Sequence, residues 1–454
     1  MNRIAARIML FFLAGCGVLA AEPVEPREPT GSTSSLTLEK TLDTALQNNA
    51  DLKKNAISLQ QAKRENSNAW NMFLPSLSAT LGISNNHVIT PKPETEVEPL
   101  WPWSASAQAS LQFTAAIPAR IKLLSLKYQA AEESYKNEIR KLTAEVSTSF
   151  YSLLAEKMNI EILRSDLEVK KQQYETANRN YRNGLASELD MLNAQYTFQT
   201  AGPALNDAVV KYETNVAAFL LLIGVDAKTD IVPEGVIETK TLVLPPVDTL
   251  VASYLENRYD VKAQVIALEQ AKLNATVEGV NKVPSISFSE SIRSGPPQNK
   301  GFSFEDPATS GSFSISVSIP ITPWIPGSSQ NLSIKTAAEK KGTEAITLDS
   351  VEKAAAQDIK KKVDEIERIT ENMSSTELNY RIAQRAFELS EQGYRGGLVS
   401  QTDLQTANQR MVSASQTVVT AKISYLTAVY NLASSLSLDV EELYRLYAQE
   451  GIDE

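Results

Sequence analysis

The chain is poor in the residues from which most active centres are built. Its 454 residues contain one cysteine, Cys16, and one histidine, His87. A single cysteine excludes an intramolecular disulfide. One histidine with one cysteine excludes a His/Cys zinc site, and any nucleophile–histidine device would have to use His87. That residue lies in SNNHVITPKPETEVEPLWP (84–102), a Pro-rich polar stretch that reads as an ordinary loop. A Walker loop, a Gly-x-Gly-x-x-Gly fingerprint and a His-Glu-x-x-His motif are all absent. Neither catalysis nor a metal or other cofactor is expected.

Positive charge is also short. There are 44 Lys and Arg against 54 Asp and Glu, a net charge of −10. An acidic chain is a poor partner for nucleic acid, and none is expected. Long apolar runs are missing too, with a mean hydropathy of −0.21. The one run, residues 8–21, is too short for a spanning helix of about 20 residues. It follows Arg3 and Arg7 and ends in small residues, the plan of a secretory signal peptide over 1–21. Its removal would take the charge to −12 (−10 minus 2). Residues 22–35, rich in Glu, Pro and Ser, read as a flexible linker.

What is present is a duplication. ALQNNADLKKNAISLQQAK (45–63) reads against YLENRYDVKAQVIALEQAK (254–272) at an offset of 209. Farther on, YRNGLASELDMLNAQ (181–195) reads against YRGGLVSQTDLQTAN (394–408) at an offset of 213. The repeats are expected over 36–225 and 248–440, joined by 226–247 and followed by a tail, 441–454. A period near 210 residues is a duplicated module, not a solenoid unit.

Each half begins with a helical segment (36–73; 248–282) and continues with alternation. In 76–84 and 104–117 apolar residues hold every second place, with Ser, Thr, Gln or Gly between; 285–292 and 312–319 repeat this with Ser. Period two of this strictness is the strand signal. The polar side lacks the Lys/Glu mixture of a soluble sheet, as a transmembrane barrel wall would. Four strands cannot close a barrel and open edges are not tolerated in lipid, so other copies must complete it. Two chains would give eight strands and three would give twelve.

A very long helix then follows in each half. Val146, Leu153, Ile160, Leu167, Tyr174 and Tyr181 are seven apart, as are Ile359, Ile366, Met373, Tyr380, Phe387 and Tyr394. A sustained heptad stripe predicts coiled-coil packing. Each rod ends at YRNGLAS or YRGGLVS. Gly184 and Gly397 fit left-handed C-caps, and Ser187 and Ser400 fit N-caps of returning helices. Asp190 and Asp403 would also stabilise those helix N-termini.

Duplication, Pro-flanked strand pairs and two YRxGLxS tips, in this order over 36–440, resemble the TolC family of outer-membrane efflux and secretion channels. The resemblance implies a mainly α fold with a small membrane β-barrel part, closing as a homotrimer of twelve strands above a periplasmic helical tunnel. It implies outer-membrane lipid around the barrel, a periplasmic adaptor (membrane fusion protein) on the tips, and an inner-membrane pump of RND, ABC or MFS type. Residues 226–247 and 438–454 resemble the belt around the tunnel, and Trp101 and Trp103 would sit outside or at the lipid interface. By the same resemblance, Asp190 and Tyr394 match positions that hold the periplasmic entrance closed, and Asp403 matches an aspartate ringing the constriction in some members. Thr406 and Val399 depart from that pattern, standing where a second aspartate ring and an assisting arginine can occur. Arg182, Gly184, Leu185, Arg395, Gly397 and Leu398 match the adaptor-docking tip.

Two questions stay open at this level. Leu13–Cys16 (LAGC) matches a lipobox, which would lipidate Cys16, while GVLAAEP is an ordinary cleavage site that would discard it. The competing architecture is a periplasmic structural coiled coil or adaptor whose sheets are soluble.

Overall fold

The computed structural model describes residues 34–85, 101–227, 229, 231–297 and 302–448. The signal-peptide reading, Cys16 and its lipobox, and His87 lie outside the described residues.

The chain order is β1 (Ser34–Leu36), α1 (Leu38–Asn48), α2 (Ala50–Ser67), β2 (Ser76–Ile83), β3 (Trp103–Phe113), α3 (Ile117–Arg182) and α4 (Glu188–Leu222). It continues with β4 (Ile231–Pro233), α5 (Val247–Tyr254), α6 (Tyr259–Val280), β5 (Ser285–Gly295), β6 (Ala308–Ser318), α7 (Ser329–Arg395), α8 (Gln401–Leu436) and α9 (Val440–Tyr447). The strand expected over 104–117 ends at Phe113, because Pro118 fits the first turn of α3, where a missing N–H costs nothing. In the second repeat β5 and β6 run longer than the alternation suggests, reaching Gly295 and starting at Ala308. The leading helical segments are each broken, at Asn49 and at Leu255–Asn257.

At 66 and 67 residues, α3 and α7 are rods of roughly 100 Å. Shorter helices stack along them. Toward the strands, α2 packs on α3, and α6 packs between α3 and α7. Toward the tips, α4 packs on α3, and α8 packs between α3 and α7. The helical body is therefore a wall of four columns, in the order α2/α4, α3, α6/α8, α7. The four long strands form one antiparallel sheet in the order β2-β3-β5-β6, so each strand continues a column.

The joints between stacked helices are built from corresponding residues of the two repeats. Asn49 caps α2 through its Oδ1, accepting from Asp51 and Leu52 N–H at 2.9 Å each, and its Nδ2 donates to the Leu222 carbonyl at 2.8 Å. Gly224 lies there at φ +75°, and a Cβ on it would come within 2.6 Å of the Asn48 carbonyl oxygen. In the second repeat the place of Asn49 is taken by Arg258. Its guanidinium donates to Asp260 (2.7 and 3.0 Å), to Asp358 (2.9 Å) and to the Ser435 hydroxyl. The place of Gly224 falls to Ser437, which also takes a left-handed backbone, φ +57°.

Two apolar cores hold the wall midway along its length. One gathers Leu36, Leu52, Val146, Phe150, Leu220 and Ile223; the other gathers Leu242, Ile359, Ile366, Tyr425, Leu432 and Leu443. Residues 226–247 contribute to both. The Val243 N–H donates to the Tyr447 carbonyl (2.8 Å) and the Tyr425 hydroxyl to the Lys240 carbonyl (2.8 Å), tying this segment to α8 and α9.

Candidate functional site: the strand wall and the hairpin tips

Pairing registers place the apolar residues of the sheet on one face, apart from Ala308 at the rim. Leu77 lies opposite Ala109, Leu111 opposite Phe288, and Phe288 opposite Ile315. The other face carries a ladder of hydroxyls. Ser76 and Ser110 are 2.7 Å apart, Ser287 and Ser316 2.9 Å, and Ser289 and Ser314 2.7 Å. Among the described residues most of the apolar face is left uncovered, with Leu81 84% exposed. At its helix end stand Phe73, Phe113 and Phe288, with neighbouring rings 6.4 and 5.9 Å apart, and Trp324 with Lys282 over its ring at 5.2 Å. At its loop end Trp103 stacks on Phe304 at 5.3 Å and donates its indole N–H to the Ser303 carbonyl. An apolar band between two aromatic girdles is how a barrel wall meets a bilayer. Among the described residues no helix is long and apolar enough to cross a membrane.

Both hairpin turns close alike. Gly184 and Gly397 have φ +71° and +72°. The Leu185 N–H donates to the Asn180 carbonyl and the Leu398 N–H to the Gly393 carbonyl, both at 2.8 Å, which makes each turn a Schellman cap. Leu185 and Leu398 are left 77% and 89% exposed. Arg182 is exposed beside the first turn, and Arg395 beside the second pairs with Glu391 at 2.7 Å. Ser187 accepts from the Asp190 N–H at 3.1 Å and donates to its carboxylate at 2.7 Å, and the Ser187 N–H reaches the same carboxylate at 3.3 Å. Ser400 and Asp403 repeat the first two contacts at 3.1 and 2.7 Å. Within one chain, then, both aspartates lock the start of the returning helix.

The two tips are in contact through Tyr394. Burial raises its phenol above the ordinary value, a hydrogen bond with the Asn180 side chain pulls the other way, and the Asp190 charge adds to the rise. Tyr394 of the second repeat thus lies within the field of Asp190 of the first. Val399 packs against Gly393, where a Cβ would come within 2.5 Å of the Val399 Cγ2. Thr406 donates to the Thr402 carbonyl inside α8 (2.8 Å).

Between tips and cores, α3 and α8 meet in a polar seam. The Gln416 side chain donates to Asn159 (2.7 Å) and the buried Asn408 side chain donates to the buried Asp166 (2.7 Å), which also pairs with Lys170 (2.7 Å). Gln173 and Gln401 continue the antiparallel register one heptad toward the tip, and both are buried. The heptad stripe of α3 is buried as far as Ile160, but Leu167 and Tyr174 are only half-buried. Burial passes instead to Asp166, Gln173 and Ala177. The apolar heptad stripe does not mark the seam, whose signal in the sequence is the seven-residue spacing of Asn159, Asp166 and Gln173.

Known proteins resemble the chain over most of its length. The family model described as outer membrane efflux protein matches residues 41–225 and 250–437. The probable efflux pump outer membrane protein TtgC of Pseudomonas putida is 20% identical over 88% of this chain and 82% of its own. The antibiotic efflux pump outer membrane protein ArpC of Pseudomonas putida is equally similar, 20% identical over the same shares. Among solved structures, the Campylobacter jejuni CmeC outer membrane channel shares the fold with a TM-score of 0.75 and 18% identity, over 90% of this chain and 88% of that one. The outer membrane protein VceC of Vibrio cholerae does so with a TM-score of 0.72 and 16% identity, over 89% and 96%. With a sheet that has one lipid-type face, a four-column helical wall and a family match in both repeats, the chain belongs to the outer membrane efflux protein family and is an outer-membrane exit duct.

Proposed function

We propose that three copies close into one passive duct, with twelve strands in the outer membrane and twelve helical columns in the periplasm, serving a tripartite efflux or type I secretion system. One observation carries this reading: both edges of the chain are open on the same two columns. The sheet ends at β2 and β6, and the columns those strands continue, α2/α4 and α7, are the outer columns of the helical wall. Both outer columns expose apolar residues, including Leu189, Leu192 and Tyr196 on α4 and Leu378, Ile382 and Leu389 on α7. An unpaired strand edge is costly in lipid. Repeating the chain around an axis satisfies edge and column at once.

In this duct the hydroxyl face lines the lumen and the apolar face meets lipid. The turns around Leu185 and Leu398, with Arg182, Gly184, Arg395 and Gly397, are the docking surface for a periplasmic adaptor, through which an inner-membrane pump is engaged. Tyr394 with Asp190, and Asp403 at the start of α8, guard the entrance. The purified full chain should conduct ions in planar bilayers in discrete steps. A protein that inserts and never conducts would overturn the duct.

A further inference from the structure

The four wall strands carry two charged residues, both on β5 and on opposite faces. Glu290 lies opposite Ala109 and Phe313, on the apolar face. Arg293 lies opposite Ser106 and Ser310, on the hydroxyl face. Every other position of that face is Ser, Thr, Gln or Gly, apart from Ala308 at the rim. Arg293 stands two residues from Gly295, where β5 gives way to the loop that faces away from the helices. Its side chain is exposed, and it has no ion pair among the described residues.

A single cation on an otherwise uncharged face of the wall acquires weight by repetition. Resting on the trimeric duct proposed above, three copies put three guanidinium groups on one level at the outer mouth. The hydroxyls beneath them offer hydrogen bonds but no net charge, so Arg293 is the one charge on the hydroxyl face of the strands, with Glu305 and Asp306 following in the connection between β5 and β6. A guanidinium presents a planar fork of donors that matches carboxylate, phosphate and sulfonate oxygens. Its reach is limited to about 8–10 Å by salt, so it acts on what passes through the mouth and not on the periplasmic entrance.

We propose that Arg293 forms an anion-binding ring at the outer mouth of the barrel, a transient station for solutes bearing carboxylate, phosphate or sulfonate groups as they leave. Charge at this level is separated from the carboxylates of the tips by the length of the helical tunnel. The two ends can therefore be probed independently.

The test is current through the full-length protein in planar bilayers, with inositol hexaphosphate added to one side and then to the other. Block is expected from the loop side, weakening as salt is raised. Arg293→Gln should raise the half-blocking concentration at least tenfold from that side, and Arg293→Lys should keep most of the block. Arg293→Glu should abolish it and create sensitivity to spermine. Asp190→Asn with Asp403→Asn should leave loop-side block unchanged. Equal block of the wild type and Arg293→Gln would overturn the ring while leaving the duct intact, since both would still conduct. Absence of any conductance in the wild type would overturn the duct and the ring with it.

Discussion

Gly397 and Gly396 are neighbours in one turn, yet they do different things. Gly397 sits at φ +72° with nothing within 4 Å of where a Cβ would be, so its requirement is purely conformational. Gly396 sits at φ −84°, open to any residue. Gly397→Ala should therefore destabilise the tip by about 1–2 kcal/mol, while Gly396→Ala should be neutral or slightly stabilising. Protection of tip amides in hydrogen exchange separates the two. This difference was legible from the spacing of Gly397 relative to Tyr394 and Ser400, because a Schellman cap has a fixed offset. The face on which Glu290 and Arg293 lie was not, since it depends on how β5 registers against β3 and β6. A second residue-scale consequence concerns tyrosines near the cores. Burial pushes the Tyr151 phenol up to about 12, helped by Tyr430, and burial with the Tyr447 hydrogen bond does the same for Tyr254. Because the folded-state values are raised, the folded state holds protons that the unfolded chain loses above about pH 10. That stabilisation is complete below pH 10 and is lost as pH rises through about 12. Melting temperature should fall across this window, and Tyr151→Phe should flatten the fall; an unchanged slope would contradict it.

At the scale of elements, the polar seam between α3 and α8 joins the two hairpins. The heptad line read from Val146 to Tyr181 follows one stripe, but a straight α-helix drifts about 20° per heptad from a strict seven-residue repeat. Beyond Ile160 the stripe has rotated away from its partner, and Asp166 and Gln173 have rotated in. A line of apolar residues in sequence cannot report where this drift hands the seam to another column. The contact that then matters is Asn408 with Asp166. Asn408→Ala would leave a buried carboxylate with Lys170 alone and should cost about 1.5–3 kcal/mol. Replacing Asp166 and Asn408 together by Leu should recover most of that loss, because a buried pair exchanged for packed apolar residues is often neutral. Chemical or thermal unfolding of Asp166→Leu, Asn408→Leu and the double variant reads the coupling directly. Additive losses would show that the pair does not act as a unit.

The whole molecule is organised by repetition at two levels: two repeats within a chain, then copies of the chain. The first level was visible in the sequence because both halves keep their turn and cap residues. The second was visible only as a deficit, four strands with no way to close, and the residues left both eight and twelve open. The structure sharpens the deficit by placing β2 and β6 on the same two columns as α2/α4 and α7, so that one interface must close barrel and tunnel together. The most direct test of that closure is the mass of the purified full chain in detergent, measured by light scattering with the detergent contribution subtracted. Three times the mass of one chain is predicted. A monomer that stays soluble after the detergent is removed would contradict the duct.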